Sequence, residues 1–347
     1  MVKTKIITLD EFVEKALYDK SAGYYAKKNP FGKKGDFITA PGISNLFGEM
    51  IAIWIISFWE KQKKPKKFNL IELGPGDGRL CKVVEKIFQK FPEFYESLNI
   101  YMYEKSAFLK KIQKKNITSS KVKWINNMGQ IKKGVSIFFG NEFFDAIPIK
   151  QFIKKDGVLF EKCVQYNGKV NPTFIYKKAP TVMLKKLKDF NLLKRRGVIE
   201  FPKQGLNELE RIIDIIQKFS GGVLLIDYGY IKPKNKSTIQ SVKSHKKNSL
   251  LSNIGNADIT SLVDFNLIKN FFKSKKLITN NIVSQSFFLQ KLGVIERANI
   301  LASKMSFKDK SDLYFRLERL LGEKFMGKLF KVIFAYKTKE KNLLGFK

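Results

Sequence analysis

Four clusters of residues in this 347-residue chain could do chemistry. The first is Glu72-Leu73-Gly74-Pro75-Gly76-Asp77-Gly78, directly after the apolar run FNLIEL at 68–73. Glycine has no Cβ and tolerates positive φ, so such a turn lets backbone N–H groups approach a ligand closely where the next helix starts. Its E-x-G-x-G-x-G spacing is shorter than the dinucleotide fingerprint G-x-G-x-x-G. The second is Glu104, which closes NIYMYE at 99–104. In a doubly wound fold the next strand ends there, and a carboxylate at its tip accepts both hydroxyls of a ribose. The third is FFGNEFFDAIP at 138–148, where a buried strand emits Asn141, Glu142 and Asp145 at its carboxyl end beside Phe143 and Phe144. Ligands bind at that edge of an open α/β sheet, so these polar groups should face the reacting atoms. The fourth is KGDFITAP at 34–41, after Gly23-Tyr24-Tyr25, where Asp36 and Thr39 sit in a glycine-bearing segment suited to a lid.

The elements that must position these groups follow from the hydrophobic pattern. After the glycines, Leu80, Val83, Val84, Ile87, Phe88 and Phe91 form one stripe of an amphipathic helix. Short apolar strands at 68–73, 99–104, 122–125, 135–141 and 223–227 alternate with helical segments, which predicts an α/β fold with a doubly wound parallel sheet. Residues 1–65 read as an N-terminal helical cap and lid. Thr8 and Glu11 form a capping box there, and a long apolar helix runs over 44–60. Residues 66–148 hold the first part of the sheet domain. Hairpin-like strands and a helix over 206–219 make 149–220 an inserted α+β recognition region. The sheet resumes over 221–347, with a polar loop near 233–257, a helix near 259–274, a strand near 278–284 and a last strand over 330–338.

Composition sets the outer bounds. With 44% hydrophobic residues and 13% aromatics the chain can build a large core. Two cysteines and one histidine leave almost no zinc ligands, so metal catalysis is not expected. The net charge of +35 invites a nucleic-acid reading. Yet 59 of the 66 cations are lysines, accompanied by many Ile, Asn and Phe, residue types that share A/T-rich codons. Arginine is the usual reader of phosphate and base edges, so a solvated lysine surface is preferred over a nucleic-acid partner. The longest apolar run, 50–59, is too short to span a membrane. The first twenty residues carry acidic groups and no apolar core preceding a cleavage site, which points to a soluble bacterial cytoplasmic protein without signal or transit peptide.

Taken in order, GYY (23–25), GDFITAP (35–41), FGE (47–49), ELGPGDGRL (72–80), NEFFDAIP (141–148), LLIDYG (224–229), DITSLVDF (258–265) and MGKLFKV (326–332) resemble one family. The chain is similar to the MidA and mitochondrial complex I assembly factor 7 group of class I methyltransferases over nearly its whole length. The resemblance implies a Rossmann-like domain that binds S-adenosyl-L-methionine through Glu72, Gly74, Pro75, Gly76, Gly78, Glu104 and Thr39. It also implies methyl transfer to an arginine of a protein substrate, in the mitochondrial case a subunit of the respiratory NADH dehydrogenase during assembly. A guanidinium has a pKa of about 12 or more and is a poor nucleophile, so it needs carboxylates that localise its charge. Glu142 and Asp145, with Asn141, are the candidates, and Asp36, Glu49 and Asp227 are possible substrate or lid contributors. The chain departs from the family at Gly42 and Asn45, where the lid usually reads P-E-I-S-Q.

Overall fold

The computed structural model describes residues 4–27, 30, 39–167, 170–338 and 343–347, so Asp36 of the lid segment lies outside the described residues. Seven strands of the central sheet lie in the spatial order Ile278–Thr279, Phe330–Lys337, Gly221–Tyr230, Val135–Asn141, Phe68–Leu73, Leu98–Tyr103, Val122–Ile125. The five strands from Gly221–Tyr230 to Val122–Ile125 are mutually parallel, and Phe330–Lys337 runs against them. The α/β class and the doubly wound sheet expected from the alternation are therefore present. The chain winds outward from Phe68–Leu73 and then returns to Val135–Asn141 on its other side. That reversal opens a crevice at the carboxyl ends of these two strands, where such sheets bind ligands.

Register brings the candidate groups to that crevice. Leu73 lies opposite Tyr103 and Gly140, and Asn141 lies opposite Ile226. The Gly74 turn, Glu104 and Glu142 thus all leave the sheet at one edge, beside Asp227 near the end of its own strand. The sheet can hold this register because its strands are buried on both faces. All six residues of Phe68–Leu73 are inaccessible to solvent or nearly so, and helices from both sides seal them. Helix Asn45–Lys61 covers one face, its first turn capped by Ser44, whose Oγ accepts from Leu46 N at 3.2 Å. Trp54 of that helix meets Phe334 edge-on at 4.8 Å.

The N-terminus departs from the helical expectation. Thr4–Thr8 is a strand, antiparallel to Val158–Asn167 of the inserted sheet. Its β-branched run, Thr4, Ile6, Ile7 and Thr8, favours that conformation. The Thr8–Glu11 capping box then starts helix Leu9–Tyr18 as expected. Lys150–Lys155, Ile199–Phe201 and Val170–Lys178 complete this second sheet. Buried Lys150 joins its layers, with Nζ 2.8 Å from Asp10 and 2.6 Å from Glu161. Removing one member of a buried ion cluster strands the others, at a cost of about 3–5 kcal/mol. Lys150→Ala is therefore expected to lower the urea unfolding midpoint by that equivalent, measured by circular dichroism.

Two further departures lie late in the chain. The polar loop contains a hairpin, Gln240–Lys243 and Lys246–Asn248, turned by Ser244 and His245, which both take positive φ. Asp258–Thr260 pairs with this hairpin as a strand, so the helix expected from 259 begins only at Phe265, capped by Asp264. The expected strand near 278–284 is two short ones, Ile278–Thr279 and Val283–Ser284. Between them and the last strand lie four helices that the sequence pattern did not resolve, Gln285–Lys291, Val294–Ala302, Phe307–Leu321 and Met326–Leu329.

Candidate active site

A cleft of about 380 Å³ opens at the crevice, lined by Gly74 and Gly76 of the glycine turn, Tyr103, Glu104, Asn126, Glu142 and Phe143, and by Glu14, Tyr18 and Tyr25 from the N-terminal segment. A smaller cavity of about 50 Å³ lies beyond the turn, lined by Thr39, Glu72, Pro75, Gly76 and Asn141. The two share Gly74, Gly76 and Glu142. Gly74, Gly76 and Gly78 take φ of 59°, 57° and 81°, a conformation glycine adopts without penalty. Asp77 accepts from Arg79 N at 3.1 Å and so starts the helix Arg79–Phe88 immediately behind the turn.

Glu104 lies just past its strand and lines the cleft. Its Oε1 accepts from Ser106 N at 2.7 Å and its Oε2 from Gln113 Nε2 at 3.1 Å. Burial raises its pKa, and these donors oppose the rise. The two oxygens keep lone pairs for a diol. Glu72 is only 6% exposed, and among the described residues nothing donates to its carboxylate. Burial, then the charges of Asp77 and Glu104, push its pKa up to about 8. Such a carboxylate fits the cationic α-amino group of a methionyl ligand, which supplies the missing charge partner.

Beyond the sheet, Glu142 sits at φ 51°, a left-handed conformation rare for a residue with a side chain and of the kind found at functional sites. Its N–H donates to Ile226 O at 2.9 Å, which fixes the turn. Its Oε1 accepts from Asn141 Nδ2 at 3.1 Å and from Ala40 N at 3.4 Å, linking the site to the end of the lid segment. Burial and the neighbouring charge of Asp145 push its pKa up to about 8. Asn141 Oδ1 is buried and has no partner among the described residues.

The other acidic candidates are placed differently. Asp145 is buried behind Glu142 and lines neither cavity. Burial pushes its pKa up to about 6, with the Tyr228 hydroxyl opposing the rise. Asp227, expected in the acceptor pocket, is 1% exposed and spent on backbone: its Oδ2 accepts from Phe144 N at 2.8 Å and Asp145 N at 3.1 Å. It holds the turn that carries Glu142 and Asp145. Glu49 does not reach the site either; its Oε2 pairs with Arg297 Nε at 2.7 Å, tying its helix to Val294–Ala302. Phe143 lines the cleft, but Phe144 belongs to the core. Sequence reasoning missed the tyrosines. Tyr18 and Tyr25 stack at 5.4 Å, and Lys105 rides 4.4 Å above the Tyr18 ring while pairing with Glu14. The GYY motif was the available signal for Tyr25.

Comparison with known proteins agrees with this geometry. Residues 50–283, about two thirds of the chain, match the family described as "Putative S-adenosyl-L-methionine-dependent methyltransferase". The chain belongs to this family. Among its relatives, the Caenorhabditis elegans protein named "Protein arginine methyltransferase NDUFAF7 homolog, mitochondrial" is 30% identical over 94% of this chain and 82% of its own. The human protein named "Protein arginine methyltransferase NDUFAF7, mitochondrial" is 28% identical over 93% and 78%. A Burkholderia thailandensis structure with S-adenosyl-homocysteine bound shares the fold at TM-score 0.83 and 20% identity, covering 97% of this chain and 89% of that one. The chain is thus an S-adenosylmethionine-dependent methyltransferase of the NDUFAF7 and MidA type, and the resemblance read from its motifs holds.

One expectation is corrected. These relatives carry mitochondrial names, which overturns the bacterial cytoplasmic assignment. Neither a lysine-rich composition nor the residue types of one short N-terminal stretch specifies a compartment. No described helix is long and apolar enough to cross a membrane.

Proposed function

We propose that this methyltransferase acts on arginine side chains of a protein, with a subunit of the respiratory NADH dehydrogenase as the target class that the family resemblance suggests. The observation that carries this reading is the charge of the cleft. In a chain of net charge +35, the described residues of the cleft wall present Glu14, Glu104, Glu142 and Glu208 against Lys105 and Lys110. An acidic recess on a basic protein selects a cationic acceptor and disfavours polyanions such as RNA. The names of the relatives support the same substrate class.

In this reading S-adenosylmethionine supplies a methyl group made electrophilic by its sulfonium. The glycine turn, Glu72 and Thr39 hold its amino-acid end, and Glu104 holds its ribose. Glu142 takes the guanidinium and localises its positive charge away from the attacking nitrogen. As the acceptor nitrogen takes the methyl group, the proton it sheds would pass to the Glu142 carboxylate. Its raised pKa makes it a better proton acceptor than an ordinary glutamate. Asp227 and the buried Asp145 act through Glu142, by position and by charge.

Incubation with methyl-labelled S-adenosylmethionine and lysate of a strain lacking the gene tests the substrate class. The expected label is protease-sensitive and resolves by mass spectrometry to methylated arginine. Label that survives protease and is lost to ribonuclease, or that stays in the small-molecule fraction, overturns the protein assignment.

A further inference from the structure

The helix Ala107–Asn116 carries a glutamine where its pattern calls for an apolar residue. Gln113 follows Leu109 by one turn on the inner face and is fully buried. Its amide makes three hydrogen bonds. Oε1 accepts from Trp124 Nε1 at 3.0 Å, while Nε2 donates to Gly76 O at 2.8 Å and to Glu104 Oε2 at 3.1 Å. An indole nitrogen only donates, so Trp124 fixes which end of the amide faces it. The two N–H bonds must then point toward the glycine turn and Glu104. One turn on, Asn116 Nδ2 donates to Asp77 O at 3.0 Å, so the same helix grips two successive carbonyls of the turn.

We propose that Gln113 is a positioning residue for the cofactor, setting the separation between the glycine turn and the ribose carboxylate with one amide whose orientation Trp124 dictates. The inference rests on the reading of Glu104 as the ribose acceptor. A single rigid NH₂ group bonded to both halves of the site couples them: neither the Gly76 carbonyl nor the Glu104 carboxylate moves without breaking a buried bond. Pre-organisation of this kind appears as affinity, because the ligand no longer orders the site on binding.

The test is calorimetric titration of the full chain with S-adenosylmethionine and with S-adenosylhomocysteine. Gln113→Leu is expected to weaken both at least tenfold. Glu104→Gln alone should also weaken them, and the double variant should lose less than the product of the two single losses, because one residue acts through the other. The pH profile gives a readout that general loss of packing would not move. Without the Gln113 donor, the Glu104 carboxylate protonates more readily, so the fall in affinity on acidification begins at higher pH in Gln113→Leu than in the parent. Trp124→Phe keeps a ring but frees the amide to turn over, and is expected to weaken binding about threefold even if Gln113→Leu does not fold. Parental affinity in either folded variant, with Glu104→Gln weakened, overturns the role of Gln113 alone. Parental affinity in Glu104→Gln overturns the ribose assignment and this inference with it.

Discussion

Gly76→Val is expected to abolish detectable S-adenosylmethionine binding, a loss of more than a hundredfold by calorimetry, in a chain that still folds. Two effects add. A β-branched residue at φ 57° carries a backbone penalty of about 1–2 kcal/mol. The larger effect is local: Gly76 lines both cavities, so the new side chain fills the approach that a ligand needs. Gly157 separates the two. It has φ 76° with nothing within 4 Å of an added Cβ, in the hairpin turn of the inserted sheet. Gly157→Val should show a similar stability loss and parental affinity. Retained binding in Gly76→Val would remove the glycine turn from the cofactor site.

How much of this was readable beforehand depends on how local the signal is. The strand Val135–Asn141 and the turn Gly74–Gly78 announce themselves, because buried strands are continuous apolar runs and positive φ calls for glycine. The doubly wound parallel class of the sheet followed from alternation, whereas its strand order came only with the pairing. Thr4–Thr8 was lost because its strand is made by a partner more than 150 residues away, and pairing across such a separation leaves no mark in the local pattern. Asp227 and Glu49 misled for a related reason. An acidic residue in a motif can bind a ligand, cap a turn or meet an arginine, and only the backbone N–H groups of Phe144 and Asp145 or the guanidinium of Arg297 decide which. Gln113 went unseen because one polar residue on an inner helix face reads as noise until its three partners converge.

The same contrast bears on electrostatics. Lysines distributed over the surface contribute little individually and are screened within about 10 Å at ordinary ionic strength. The few acidic groups at the crevice are desolvated and close to one another, so they govern what enters. Burial raises the pKa values of Glu142, Asp145 and Asp227; the charge of Asp145 adds to the rise at Glu142, and the charges of Asp145 and Glu142 add to that at Asp227. The cluster therefore holds protons that ordinary carboxylates would have lost, and a bound cation favours its ionised form, which ties affinity for a cationic acceptor to the same groups that accept its proton.

Glu142→Gln tests that coupling most directly. The amide keeps the side-chain length and the backbone N–H bond to Ile226 at the strained position, so S-adenosylmethionine affinity should stay within twofold. It neither neutralises a guanidinium nor takes a proton, and the methyl-transfer rate is expected to fall by about 100-fold or more. The pH profile gives the sign. With its pKa pushed up to about 8 in the free enzyme, Glu142 is mostly protonated at neutral pH, and kcat/KM should rise with pH through about 8. In the complex a bound guanidinium adds positive charge beside the carboxyl and lowers its pKa, so the rise in kcat should fall at lower pH than the rise in kcat/KM. Glu142→Gln should lose the inflection in both. Parental rates in the variant, or an inflection that persists without Glu142, would assign the proton transfer to another group and leave Glu142 as part of the turn alone.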